Sequence, residues 1–237
     1  MVDSSIDQLL ECILPCELRR LGLFSHASID EFLAVLADAG DNYPIRFVAI
    51  DGTHEAAPGK SGAVVIREFQ RHARISKRLT CRPEHIVTLP ATVKCLIYVD
   101  DMLGTGKQFN SFAKHYSLEK QSQDRKQFYC PLIAHQDGVG KVEMQNPWLM
   151  VRPVELLDQR HSFLRAADVN KTLWAVDQKN AVNDVIQHLQ ALCSLKYIPG
   201  QTKFSLNLLL GFEHATPNNT LPIMWARSSS WHPLLIR

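Results

Sequence analysis

Residues 95–108 read Cys95-Leu96-Ile97-Tyr98-Val99-Asp100-Asp101-Met102-Leu103-Gly104-Thr105-Gly106-Lys107-Gln108. The run Cys95–Val99 is short, apolar and non-alternating, the pattern of a strand buried on both faces. It stops at two carboxylates. A small-residue loop follows, Gly104-Thr105-Gly106, and then Phe109, Phe112, Ala113 and Tyr116 recur at helical spacing. The order is strand, acidic pair, glycine turn, helix. Glycines let the backbone turn tightly and bare its N–H groups, and a helix starting there aims its positive dipole end at the same point. That is a phosphate site. Carboxylates beside it would repel the phosphate itself. They fit a ligand whose hydroxyls or divalent cation they hold, and a sugar phosphate with bound Mg²⁺ meets every requirement.

Two other readings compete. A Walker A loop would end in Gly106-Lys107, but it needs glycine at position 101, which is Asp, and Ser or Thr at 108, which is Gln. An acidic helix cap needs one carboxylate, not two at a strand end.

From these residues the chain resembles the type I phosphoribosyltransferases. That family carries an apolar strand, two acidic residues, two or so linkers and a Thr/Ser-Thr-Gly-Gly/Ala-Thr/Ser loop, and Val99–Gly106 matches it. The resemblance implies that Asp100 and Asp101 are the catalytic carboxylates. They would hold the ribose hydroxyls of phosphoribosyl pyrophosphate together with Mg²⁺, while Gly104, Thr105, Gly106, Lys107 and Gln108 wrap the 5′-phosphate. The loop departs from the pattern at Gly104, Lys107 and Gln108, so two side-chain phosphate donors are replaced.

The remaining sequence is consistent with an enzyme-sized α/β domain. The chain has 237 residues, 46% of them hydrophobic, enough for a sizeable core. A net charge of +2 is too balanced to imply a nucleic-acid surface. No apolar run reaches the about 18 residues of a membrane span, and the polar start Met1–Leu10 does not read as a signal peptide. Six cysteines are scattered without a CxxC pair. Cys12 and Cys16 lie four apart on a predicted helix, but no second ligand pair stands near, so reduced packing thiols in a cytoplasmic compartment are expected.

Along the chain, Ile6, Leu9, Leu10, Ile13 and Leu14 predict a first helix that Pro15 should end or kink. Ser28-Ile29-Asp30-Glu31 reads as a capping box before a second helix ending at Ala39-Gly40. These form an N-terminal helical extension, residues 1–43, ahead of a phosphoribosyltransferase-like domain, residues 44–237. Phe47–Ile50 predicts the first strand. A Pro/Gly-rich turn then leads to Lys60 and Ser61 at a helix start, a place suited to an anion. In the family layout that loop holds pyrophosphate. A long turn with a serine cap is the competing reading.

His85–Leu89 predicts a second strand, Phe128–Ala134 another and Trp148–Val154 a further one. Arg152 inside the last requires an acidic partner or a sheet edge. Ligands of open parallel sheets bind at the strands' carboxyl ends, so His135 and Asp137 are candidates for contacting the acceptor, against a plain loop role for the histidine. Ser162–Leu164 should begin a short helix and Ala175–Leu195 form a longer one. Leu206–Phe212 reads as a late strand or buried helix. It runs into a polar loop where His214, Asn218 and Asn219 are candidates for recognising a nucleobase or other acceptor, against a turn-rich structural loop. This stretch, with Trp225 and Trp231–Leu234, resembles the C-terminal end of phosphoribosyltransferase-like proteins from bacterial conflict and phage-defence loci.

Strands alternating with helices predict an α/β fold with a mostly parallel sheet flanked by helices. Two functions follow. One is transfer or cleavage of a ribosyl phosphate, in the defence setting as an effector held by a partner protein. The other is a non-catalytic sensor of nucleotides or ribose phosphates that regulates a partner.

Overall fold

The computed structural model describes residues 2–50, 61–164, 179–198, 206–212 and 216–235. Two compact units divide between Leu156 and Leu157.

The first unit is built on a parallel sheet. Strands β1 (Ile45–Ala49), β2 (Thr80–Cys81), β3 (Cys95–Leu103), β4 (Lys126–His135) and β5 (Leu149–Val151) lie in the order β2-β1-β3-β4-β5, and a short strand β6 (Glu155–Leu157) pairs with β4. All four pairings along that path are parallel. Because β1 connects first to one side and the chain then returns to the other, the strand order reverses between β1 and β3. Ligands of open α/β sheets bind at such a reversal, beyond the strands' carboxyl ends.

Every residue of β3 is buried, as the unbroken apolar run requires. Alternation along the strands feeds two separate cores. On one face Phe47, Ile97, Val99, Phe128 and Cys130 pack with Ile6, Leu9, Leu14 and Leu18 of the N-terminal helices, with Phe32 and Leu36 of α3 (Ile29–Asp38), and with Val65 and Phe69 of α4 (Ser61–Arg71). On the other face Val48, Leu96, Tyr98 and Tyr129 pack with Phe109 and Phe112 of α5 (Lys107–His115) and Val142 of α6 (Gln136–Gln145). The N-terminal helices thus share with α4 the layer that covers one face of the sheet.

Pro15 bends the first helix rather than ending it. Helix α1 (Val2–Gln8) passes through a π-helical turn, Leu9–Ile13, into α2 (Leu14–Arg20), with Pro15 in its first turn. Proline offers no N–H to the carbonyl four residues back, and the under-wound turn absorbs the mismatch, Leu14 N–H reaching Leu9 O instead. At α3 the Ser28 hydroxyl accepts from Glu31 N–H as expected, but the Glu31 carboxylate takes the N–H of Ala27 rather than that of Ser28.

Three sequence expectations are corrected. Residues 85–89 do not form a strand: Pro83–Thr88 is a 3₁₀ helix, because Pro83 presets helical φ and Thr88 Oγ1 donates back to His85 O. The second strand is instead the two-residue Thr80–Cys81. The strand expected over Trp148–Val154 is confined to Leu149–Val151, and Arg152 just beyond it donates from Nε to Glu17 Oε1 at 2.7 Å, which supplies the acidic partner. Ser162, expected to begin a helix, instead bridges antiparallel to Leu208.

In the second unit, helix α7 (Lys179–Ser194) packs through Leu192 onto Ile198 and Ala226, with Trp225 and Trp231 alongside. Leu208, where a strand or helix was expected, sits in extended chain and also bridges to Thr220. Trp225 and Trp231 are half-buried and donate their indole N–H groups to Thr220 O and Ile223 O.

Candidate active site at the carboxyl ends of β1, β3 and β4

The last backbone link between β1 and β3 runs from Ile50 N–H to Val99 O, 3.3 Å. Asp100 and Asp101 follow at once on β3, 2% and 8% exposed. Successive strand residues face opposite ways, so Asp100 shares a face with Tyr98 and Asp101 a face with Val99. Asp100 is held twice. One carboxylate oxygen accepts from Asp101 N–H at 3.0 Å, the other from the Tyr129 hydroxyl at 3.3 Å. Burial, and then the charges of Asp100 and Asp101, push the Tyr129 phenol well above its usual range, so it stays a donor. Tyr129 in turn stacks on Phe109, ring centroids 4.4 Å apart, which ties the start of α5 to β4 beneath the carboxylates.

The loop turns at Gly106. Its φ is +80°, left-handed, and it caps α5 with no side chain bonded to the helix end. A Cβ there would also meet Val142 Cγ2 at 3.0 Å and Gly138 O at 3.1 Å, so glycine is required twice over. Gly104 is buried and Thr105 partly so, whereas Lys107 and Gln108 open the first turn of α5 on the surface. The arrangement is a helix N-terminus with its dipole and first-turn N–H groups facing outward, separated by the three residues 104–106 from the end of a strand that carries two carboxylates.

β4 runs alongside, with Leu103 opposite Ala134, and so delivers His135 beside Gly104. His135 is 2% exposed and caps α6: its Nδ1 accepts from Asp137 N–H at 3.2 Å. Asp137 is exposed, its carboxylate 3.9 Å from the same ring nitrogen. The carboxyl end of β1 closes the other side. Gly62 in the first turn of α4 lies against Ile50, where a Cβ would fall 2.4 Å from the carbonyl oxygen. Ser61 opens this helix; Lys60 lies outside the described residues. The structure therefore brings Asp100, Asp101, residues 104–108, His135 and Asp137 to one sheet edge, with the start of α4 meeting the end of β1.

Asn218 and Asn219 belong to the second unit, in a turn closed by Thr220 N–H to Pro217 O. The Asn219 carbonyl takes the N–H groups of Leu206 and Leu208, a structural duty, while its buried Oδ1 has no hydrogen-bond partner among the described residues. His214 lies outside the described residues.

The family model described as PRTase-CE matches residues 1–237, the whole chain. The chain belongs to this family. It is a phosphoribosyltransferase-like protein. A search of curated proteins found no match. No described helix is long and apolar enough to cross a membrane, and no cluster of three or more His, Cys, Asp or Glu side chains among the described residues forms a cage for a metal ion.

Sequence reasoning missed two contributors. Tyr129 sits inside an apolar strand, and only the register of β3 against β4 reveals that its hydroxyl reaches Asp100. Gly138 looks like an ordinary turn residue after Asp137, yet it abuts the loop of residues 104–106. Cys12 and Cys16 are exposed rather than packed.

Proposed function

We propose that the protein binds phosphoribosyl pyrophosphate or a close relative and transfers or cleaves its ribosyl phosphate. The observation that carries this reading is the left-handed Gly106 cap, free of any capping side chain, at the end of a strand bearing Asp100 and Asp101. The first turn of α5 receives the 5′-phosphate, and exposed Lys107 adds a positive charge. Asp100, oriented by Tyr129, and Asp101 accept from the ribose hydroxyls. They also stabilise the positive charge that grows on the sugar as the anomeric bond breaks and pyrophosphate departs. Asp100 and Asp101 would hold a Mg²⁺ that arrives with the substrate, since carboxylate oxygens are the hard ligands this ion takes. When bound, the ion offsets the charge of the leaving pyrophosphate. Ser61, with Lys60, is assigned to the pyrophosphate, and Asp137 with His135 to the acceptor side.

The test is release of pyrophosphate from phosphoribosyl pyrophosphate with Mg²⁺, alone and with nucleobases, nucleosides and amines as acceptors. Release that is lost in Asp100→Asn/Asp101→Asn supports the reading, and no release under any condition contradicts turnover. A sensing module is the second reading. Gly104, Lys107 and Gln108 stand where the family loop has hydroxyl or small residues, and His135 is engaged as a helix cap. Ligand binding without pyrophosphate release would select it. An effector role in bacterial defence, checked by a partner protein, predicts that the protein expressed alone arrests growth and that the double Asn variant does not.

A further inference from the structure

A cleft of about 830 Å³ lies on the side of β1 away from β3. It exists because β2 is only two residues long: Thr80 and Cys81 pair with Phe47 and Val48, and the rest of that edge of β1 is left uncovered. Arg46 contributes to its wall and is 2% exposed. Its guanidinium donates to the carbonyls of Tyr43 at 2.8 Å, Ile45 at 2.7 Å and Asp41. Each of these partners is a backbone carbonyl. Among the described residues no carboxylate pairs with Arg46, and the Asp41 side chain acts on it only at longer range. Arginine does not discharge by losing its proton, and a buried cation without a counter-ion is costly.

The rim adds more positive charge. Arg78 is exposed and forms no ion pair among the described residues. Arg82 is exposed with only a 4.0 Å contact to Glu84. Three arginines thus face two acids, Asp41 and Glu84. Ile66, Leu89 and Pro90 give the cleft apolar walls as well. A pocket of this size that joins apolar walls to a few converging charges has the make-up of a small-ligand site, and guanidinium groups pair with phosphate in a two-pronged geometry.

We propose that this cleft is a nucleotide site, with phosphate against the exposed Arg78 and Arg82, the buried charge of Arg46 behind them, and the base against the apolar walls. The cleft reaches Ala49 at the end of β1 and Ala63 in the first turn of α4, but neither Asp100 nor Asp101 lines it, so the proposal does not depend on the ribose phosphate reading. The test is calorimetric titration of the full chain with ADP and with inorganic pyrophosphate, without added metal. The wild type should bind ADP, and pyrophosphate should bind more weakly because it lacks a base. Arg78→Ala/Arg82→Ala, exposed positions that leave the fold intact, should weaken ADP at least tenfold, whereas Asp100→Asn/Asp101→Asn should leave ADP binding unchanged. Arg46→Met should abolish it, with its circular dichroism spectrum checked for folding. ADP binding that survives the double Ala variant, or disappears with the double Asn variant, overturns the proposal. So does the absence of ADP binding at millimolar concentration, and pyrophosphate binding as tight as ADP overturns the role of the apolar walls.

Discussion

A methyl group on Gly138 would stand 2.1 Å from the carbonyl oxygen of Gly104. No real Cβ tolerates that distance, so the first turn of α6 is the surface against which the loop of residues 104–106 is moulded. Gly138→Ala must push the loop or the helix aside. The expected cost is about 1–3 kcal/mol of stability, the range for overpacking, with weaker sugar-phosphate binding because the Gly106 cap moves. Chemical denaturation and ligand titration of the variant test this. Wild-type values for both would show that the contact does not shape the loop.

The Tyr129 hydroxyl donates to Asp100 in a fully buried setting. Tyr129→Phe keeps the stack on Phe109 and removes only the donor. Losing a hydrogen bond to a charged group should cost about 1.5–3 kcal/mol. If Asp100 positions the ribose, the same variant should lose affinity for phosphoribosyl pyrophosphate beyond this change in stability. Unchanged affinity would mean that Asp101 alone holds the sugar.

Much of this site is legible in the sequence because its signals are local. A non-alternating apolar run, a pair of acids and a glycine at a turn each act over a few residues, and β3, Gly106 and the inward faces of Phe109 and Phe112 follow from them. What fails depends on distance in sequence. Val87 and Leu89 around Thr88 imitate an alternating strand, but Pro83 starts a 3₁₀ turn and the true second strand is too short to carry a period. Tyr129 and Gly138 acquire their roles only through the register of β4 on β3 and the docking of α6. Arg46 falls outside the strand predicted over Phe47–Ile50, and nothing local to it marks the cleft that the short β2 leaves beside it. The amphipathic pattern of residues 6–18 reveals a buried face but not that the sheet itself is what covers it.

Stability should fall in alkali. Burial pushes the Cys130 thiol up to about 12 and raises Cys95 further, and it lifts the Tyr98 and Tyr129 phenols well above their usual range. Each group keeps its proton in the folded state at pH values where the unfolded chain has lost it. Their contribution is fully present below the unfolded values, about 8.5 for thiols and 10 for phenols, and is lost as pH rises through the folded ones. Each group adds a slope of about 1.4 kcal/mol per pH unit in that window. The melting temperature should hold between pH 7 and 8 and decline steadily from 9 to 10.5. A constant value across that range would contradict the burial of these groups, and Tyr98→Phe should flatten the steepest part.

Arg152 and Glu17 join the end of β5 to helix α2, and Arg20 shares the same carboxylate oxygen. Glu17 is 7% exposed and Arg152 considerably more, so the pair is only partly desolvated. Arg152→Met should cost about 1–3 kcal/mol, mainly through a buried carboxylate left with only the exposed Arg20 as its partner. Adding Glu17→Gln should recover part of that loss. A double variant as unstable as the sum of the singles would show that the two side chains do not interact.

The central claim is that Asp100, Asp101 and the Gly106 turn form one sugar-phosphate site. Thermal unfolding with and without phosphoribosyl pyrophosphate and Mg²⁺ tests it most directly, in the wild type and in Asp100→Asn/Asp101→Asn. The quantity read is the shift caused by ligand, which is independent of any change in the variant's own melting point. At about 100 times its dissociation constant the ligand stabilises the fold by roughly 2.7 kcal/mol, or about 5–10 °C for a chain of this size. The account predicts that shift in the wild type and its loss in the double variant. A well-folded wild type that does not shift, or a double variant that shifts as far, would contradict it.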